Sequence, residues 1–252
     1  TGATVGMNGY KYQLIVSGTC TPAGTSSEVT LTVNPRPTSV ITGSTTVCAN
    51  SPATISIALT GTAPWNITYS DGTTSTSVTT SSSTYTFNVA LATTKTYTVT
   101  SLTDANCTAA AGDRTGSAII TVNPLPTIQI SPFNPTICSG QSISITASGA
   151  DTYIWSPSTG LSSTTGSVVN ANPTASTTYA VTGTDLYGCS NTLNLPVTVN
   201  QLPIVQVSSN SLSICPGQSA TLTASGASTY IWSPSTGLSS YTGSSVSASP
   251  TI

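Results

Sequence analysis

The chain has 252 residues, of which 51 are Thr and 42 are Ser, while only ten carry a formal charge and none is His. A net charge of −2 offers no clustered Lys and Arg to displace phosphate counterions, which argues against nucleic-acid binding. No run of 18 apolar residues marks a membrane-spanning helix, and the first residues lack the charged and apolar regions of a signal peptide.

The remaining composition reads as all-β. Thr favours the half-buried surface of a strand, and 20 Gly with 16 Pro supply turns at short intervals. A hydrophobic fraction of 37%, evenly spread and alternating, is too high for a disordered Ser/Thr linker. Three phrases punctuate the chain: TLTVNPRP (30–37), ITVNPLP (120–126) and VTVNQLP (197–203). Each ends an alternating run in Val-Asn and then meets proline, which fixes φ, removes a ladder donor and makes a short, stiff joint. The expected division is 1–37 as the C-terminal part of a sandwich, 38–126 and 127–203 as complete sandwiches, and 204–252 as the N-terminal part of another.

In the second segment TISIALT (54–60), WNITYS (65–70), YTFNVA (85–90), KTYTVTSLT (95–103) and AIITV (118–122) read as strands. In the third, TIQIS (127–131), SISITAS (142–148), TYIWS (152–156), SVVNA (167–171), TTYAVTGT (177–184) and TLNLPVTV (192–199) do the same, with Pro196 implying an edge position or a bulge. Residues 138–174 and 215–251 are identical at 28 of 37 positions without a gap, and Cys138 to Cys215, Trp155 to Trp232 and Pro126 to Pro203 are each 77 residues apart. A period of that length is a repeated small domain, not a solenoid coil.

Six cysteines fit this plan in pairs. Cys48 and Cys107 stand near the start and the penultimate turn of the second segment, and Cys138 and Cys189 hold the same places in the third. A disulfide within each domain is the simple expectation and implies an oxidising compartment; buried free thiols are the bland alternative. Closing such a loop stabilises by about 4 kcal/mol on the chain-entropy model. Metal ligation is disfavoured by the absence of His and of any C-x-x-C spacing. Cys20 occupies a late-turn place and Cys215 an early one without a counterpart, so their partners are expected outside this chain or in a neighbouring subunit. The chain then reads as a window cut from a longer polypeptide. The rival is head-to-tail strand exchange between subunits, as in donor-strand pili.

Trp65, Trp155 and Trp232 fall on the third strand of successive sandwiches, where Trp is a core residue. Tyr187, at a turn, and Tyr241, replacing Thr164 of the earlier repeat, are the candidates for a glycan contact. Glu28 is the single Glu, the five Asp are scattered over the repeats, and no His is available as a base, so no catalytic residue is assigned. Asp104 with Asp113, and Asp151 with Asp185, read as turn-forming residues more readily than as a calcium site. No metal and no cofactor is expected.

The phrases ICSGQSISITASGADTYIWSPSTGLSS, TTYAVTGTDLYGCSN and VTVNPLP, with MNGYKYQLIVSGTCTP at 7–22, resemble the PKD-like and Ig-like repeats of giant surface proteins from Bacteroidota, including gliding-motility adhesins of the SprB kind. The resemblance covers essentially the whole chain. It implies an extended array of tandem Ig-like and PKD-like β-sandwiches, export by the type IX secretion system, and display at the cell surface in adhesion or motility. It names no ligand. Ser70-Asp71-Gly72 is only a remnant of the WDFGDG motif of PKD domains, and WSPSTG replaces it later, which removes the basis for calcium binding. The functional expectation is a non-catalytic stalk or filament segment. Its partners are neighbouring repeats or like subunits, with surface polysaccharide as a further ligand class. The alternatives are a carbohydrate-binding accessory module of a secreted polysaccharide-degrading enzyme, or a donor-strand pilus subunit.

Overall fold

The computed structural model describes residues 2–19 and 24–250. Every regular element among them is a strand, apart from two single 3-10 turns at Val5–Met7 and Ala111–Asp113. The chain divides into two compact units, Thr1–Thr127 with Thr184–Asn191, and Ile128–Gly183 with Thr192–Ile252.

The first unit opens with four two-residue strands, β1 (Lys11–Tyr12), β2 (Ile15–Val16), β3 (Gly24–Thr25) and β4 (Val29–Thr30), paired as β1–β4 and β2–β3. Their side chains are exposed. A sandwich follows, made of β5 (Thr38–Thr42), β6 (Thr45–Cys48), β7 (Pro52–Thr60), β8 (Trp65–Ser70), β9 (Ser75–Thr80), β10 (Thr84–Ala90), β11 (Lys95–Thr103), β12 (Arg114–Thr115) and β13 (Ala118–Asn123). One sheet has the order β10-β7-β5-β12 and the other β6-β13-β11-β8-β9. Consecutive strands that change sheet, with β6 parallel to the final strand β13, give an immunoglobulin-like sandwich. β7 shows why this segment is a strand: Ala53, Ile55, Ile57 and Leu59 are buried and alternate with exposed or partly exposed residues. They meet Ile67, Leu102, Ala118 and Ile120 from the facing sheet in one core.

The second unit repeats the plan with β14 (Gln129–Ser131), β15 (Thr136–Cys138), β16 (Ile143–Ser148), β17 (Thr152–Ser156), β18 (Val168–Ala171), β19 (Thr177–Thr184) and β20 (Ser190–Asn200). The sheets run β14-β16-β18 and β15-β20-β19-β17. Ile145, Trp155, Val169, Tyr179, Val181, Leu195 and Val197 form its core. β20 is a central strand, which corrects the simple edge reading of Pro196. Pairing with β15 begins only at Thr198, so on that side the ladder has not yet started at the proline. The turn 184–191 between β19 and β20 belongs to the first unit.

β21 (Gln206–Ser209), β22 (Ala220–Ser225) and β23 (Ser245–Ala248) make a three-stranded sheet in the order seen for β14-β16-β18. The fold is thus all-β and built from tandem β-sandwich domains.

Candidate functional site

Trp65 and Trp155 are buried, and each indole N–H donates to a backbone carbonyl, that of Thr60 at 3.0 Å and that of Gly166 at 2.9 Å. Trp232 makes the same bond to Gly243 at 2.8 Å and is partly buried. Around Trp155 the cover comes from the core that includes Tyr179 and Val181 of β19. Tyr187 and Tyr241 are exposed at 73% and 62%.

A set that the sequence reading passed over is Tyr69, Tyr85, Phe87 and Tyr97. Tyr69 stacks on Phe87 with centroids 4.2 Å apart, and Tyr97 meets Phe87 edge-on at 5.8 Å. These residues recur at i, i+2 on β10 and face β8 and β11, a pattern visible in YTFNV once the sheets are known. Tyr69, Phe87 and Tyr97, together with Asp71, Thr74 and Thr76, line a cleft of ≈ 350 Å³. The rings are stacked against one another, so the cleft is a packed seam of the sandwich and not a platform of free faces. Burial, reinforced by Tyr85, pushes the Tyr69 hydroxyl up to about 12.

The carboxylates are turn formers. Asp71 accepts from the backbone N–H of Thr74 at 2.6 Å and of Thr73 at 2.8 Å and from the Thr73 hydroxyl, and Lys95 lies 3.2 Å away; these contacts hold it well below the usual carboxylate range. Burial alone would raise Asp104, but donation from Thr62, Asn106 and Cys107 outweighs it and lowers the group. Asp113 is lowered first by its bond to Arg36, 2.6 Å away, and then by the Ala110 N–H. Asp185 takes the N–H groups of Tyr187 and Cys189, each at 2.9 Å. No group of three or more His, Cys, Asp or Glu converges among the described residues.

The cysteines carry the main correction. Cys48 is bonded to Cys189, with Cα atoms 5.5 Å apart and 141 residues between them in sequence, so neither Cys48–Cys107 nor Cys138–Cys189 forms. Cys107, Cys138 and Cys215 are free thiols, and Cys20 lies outside the described residues. The reason is local geometry. Cys48 ends β6 in register with Asn123 of β13, at the edge of the Val-Asn-Pro joint. Cys189 closes the 184–191 turn, where the neighbouring Asn191 amide donates to the carbonyl of Pro126, in that same joint, at 3.0 Å. Cys107 closes the equivalent turn of its own segment, with its sulfur 3.7 Å from the carbonyl oxygen of Asn34, beside the preceding joint. An early cysteine therefore lies at the joint that ends its segment, and a late cysteine at the joint that begins its segment.

No known family model matches the chain, and no curated protein matches it. Among solved structures it is similar to the titin A168–A169 pair (13% identity, 66% of this chain and 100% of that chain, TM-score 0.30). It is similar also to the fibronectin(III)-like modules of Clostridium thermocellum CbhA (12%, 65% and 94%, 0.29) and to Sidekick-1 immunoglobulin domains 1–5 (12%, 99% and 62%, 0.30). The architecture rests on the strand order given above. The described residues thus present serial sandwiches, a cystine, turn-forming carboxylates and self-stacked aromatics, and the cystine fits an oxidising environment. No helix among the described residues is long and apolar enough to cross a membrane.

Proposed function

We propose that the chain is a tension-bearing, non-catalytic segment of a long extracellular filament, the stalk of a bacterial surface adhesin of the kind found in Bacteroidota, exported by the type IX system and acting in adhesion or gliding. The observation that carries this reading is the Cys48–Cys189 bond. It anchors the end of β6 to a turn 141 residues later, so pull applied through the chain passes across one covalent bridge instead of through the core between. A surface of Ser and Thr hydroxyls with ten charges in 252 residues supports it, since such a surface has little Coulomb energy for salt to screen. Its partners in this role are adjoining repeats or like subunits, with surface polysaccharide as a ligand class for the exposed Tyr187 and Tyr241. Immunogold electron microscopy of the producing cells tests it. Label spaced along surface filaments is expected, whereas label confined to the periplasm or to soluble monomer refutes it. A glycan array run on the same protein separates a stalk from a carbohydrate-binding module.

A further inference from the structure

Cys107 and Cys138 are free thiols held in the same local settings as the two bonded cysteines. On the early side, Cys138 ends β15 in register with Asn200 of β20, as Cys48 ends β6 in register with Asn123 of β13. The turn that follows is also the same: Ala49 and Ser139 donate to the carbonyls of Asn123 and Asn200 at 2.8 and 2.9 Å, and Ser51 and Gln141 donate back to the two cysteine carbonyls at 3.0 and 2.9 Å. Its tip has positive φ in both, at Asn50 and Gly140. On the late side, Asp104 accepts from the N–H of Cys107 as Asp185 does from that of Cys189, and each Asp N–H returns a bond to its cysteine carbonyl, at 2.9 and 3.0 Å. The Cys107 sulfur lies against Asn34, the residue that matches Asn123 in the Val-Asn-Pro phrase.

We infer that Cys48–Cys189 is one rung of a regular ladder in which the early cysteine of each repeat is bonded to the late-turn cysteine of the next. Cys138 is then bonded to the late-turn cysteine of the repeat that follows Asn200. Cys107 is bonded to the early cysteine of the repeat that ends at Asn34. Cys215, whose turn repeats the Gln141 bond through Gln218 at 3.0 Å, is the early member of a further rung. Each rung forms when two thiols lose two protons and two electrons to a disulfide-bearing oxidant, which leaves as its dithiol. The partner chemistry is a cysteine thiol in a repeat of this type, supplied by the same polypeptide or by a second copy. The inference rests on the repeat geometry and stands apart from the surface role proposed above.

Non-reducing peptide mapping of the native protein, alkylated before digestion, tests it. The expected result is a Cys48–Cys189 linked pair, no alkylation of Cys107 or Cys138, and each of these two linked to a cysteine peptide of another repeat, lighter by two hydrogens than the separate peptides. A partner peptide foreign to the 252 residues assigns the rung to a longer chain; one from within them assigns it to a second copy joined head to tail. In addition, Cys138→Ser in the native protein is expected to release one new alkylatable thiol in the following repeat and none at Cys189. Linkage of Cys107 to Cys48 or to Cys138, linkage of Cys138 to Cys189, or free thiol at Cys107 or Cys138 overturns the ladder.

Discussion

Pulling a single molecule from its two ends, before and after reduction, reads the covalent path directly. While the bridge is intact, tension enters at Cys48 and leaves at Cys189, and the chain between them stays folded or slack. The bridge spans 141 residues, which fully extended reach about 480 Å at about 3.4 Å per residue. The folded distance that this length replaces is the 5.5 Å between the two Cα atoms. Reduction is therefore expected to add about 470 Å of contour length to the fully unfolded chain, and a Cys48→Ala, Cys189→Ala double variant is expected to show that length without reductant. Pairing within each segment would instead release about 200 Å for the 48–107 loop and about 170 Å for the 138–189 loop. Gains of those two sizes, or no gain, refute the path. The same double variant measures the thermodynamic weight of the bridge. A 141-residue loop corresponds to about 5 kcal/mol of denatured-state entropy on the chain model. With m of about 2–3 kcal/mol/M, that moves a urea midpoint down by roughly 2 M.

Trp155→Ala is expected to destabilise the second unit by about 3–5 kcal/mol, because a side chain 1% exposed leaves a cavity among core residues. Gly43→Ala places a Cβ 2.6 Å from the Thr54 carbonyl oxygen at φ +118°, so a loss of about 1–3 kcal/mol or more is expected. Gly72→Ala, at φ +90° with open space around the new methyl, isolates the backbone cost alone and is expected to be milder. The pH profile of stability should be flat from about pH 5 to 7, between the ordinary carboxylate and thiol ranges, since no His titrates there. Asp71, Asp104 and Asp113 are lowered on folding, so their contribution is complete above the ordinary carboxylate range near 4 and is lost as pH falls through their folded values. Tyr69 is raised to about 12, so the preference of the fold for the neutral phenol fades as pH climbs from about 10 through 12. A urea midpoint that does not fall as pH drops below about 4 would contradict the carboxylate assignment, and one that does not fall between about pH 10 and 12 the tyrosine assignment.

Most strands of five or more alternating residues in the two complete segments were legible in the sequence, although β5 (TSVIT), next to the proline joint, was not. TISIALT and TYIWS differ from the observed β7 and β17 by two residues at most, because one buried face imposes a period of two. Short strands were not. β6 and β15, of four and three residues, owe their existence to parallel pairing with β13 and β20 from the far end of each domain, and nothing in TTVC or TIC announces it. β9 (STSVTT) was missed because an edge strand with mostly exposed residues carries little hydrophobic signal. The cysteine pairs were misassigned for a related reason. Sequence spacing places both members of a pair in one domain, but the late turn leans to the joint before it while the early cysteine lies at the joint after it.

The scarcity of charge and the placement of the bridge belong to one design. Domains of this size bury only about 60–65% of the surface their unfolded chains expose, which leaves a narrow margin of stability. The exposed Lys11–Glu28 pair and the Arg36–Asp113 pair are screened by solvent and add little. A covalent closure therefore outweighs every ion pair described here. Its formation depends on a turn held in shape by a carboxylate, since Asp185 fixes the N–H of Cys189, and Cys189 is fully buried. Asp104 does the same for Cys107, while Asp71 shapes the β8–β9 turn and Asp113 holds Arg36. Four of the five Asp are thus engaged by the backbone or by a cation of their own chain. The few charges of this chain are therefore committed to shaping its turns and joints, Asp185 at the turn that carries the bonded Cys189 among them.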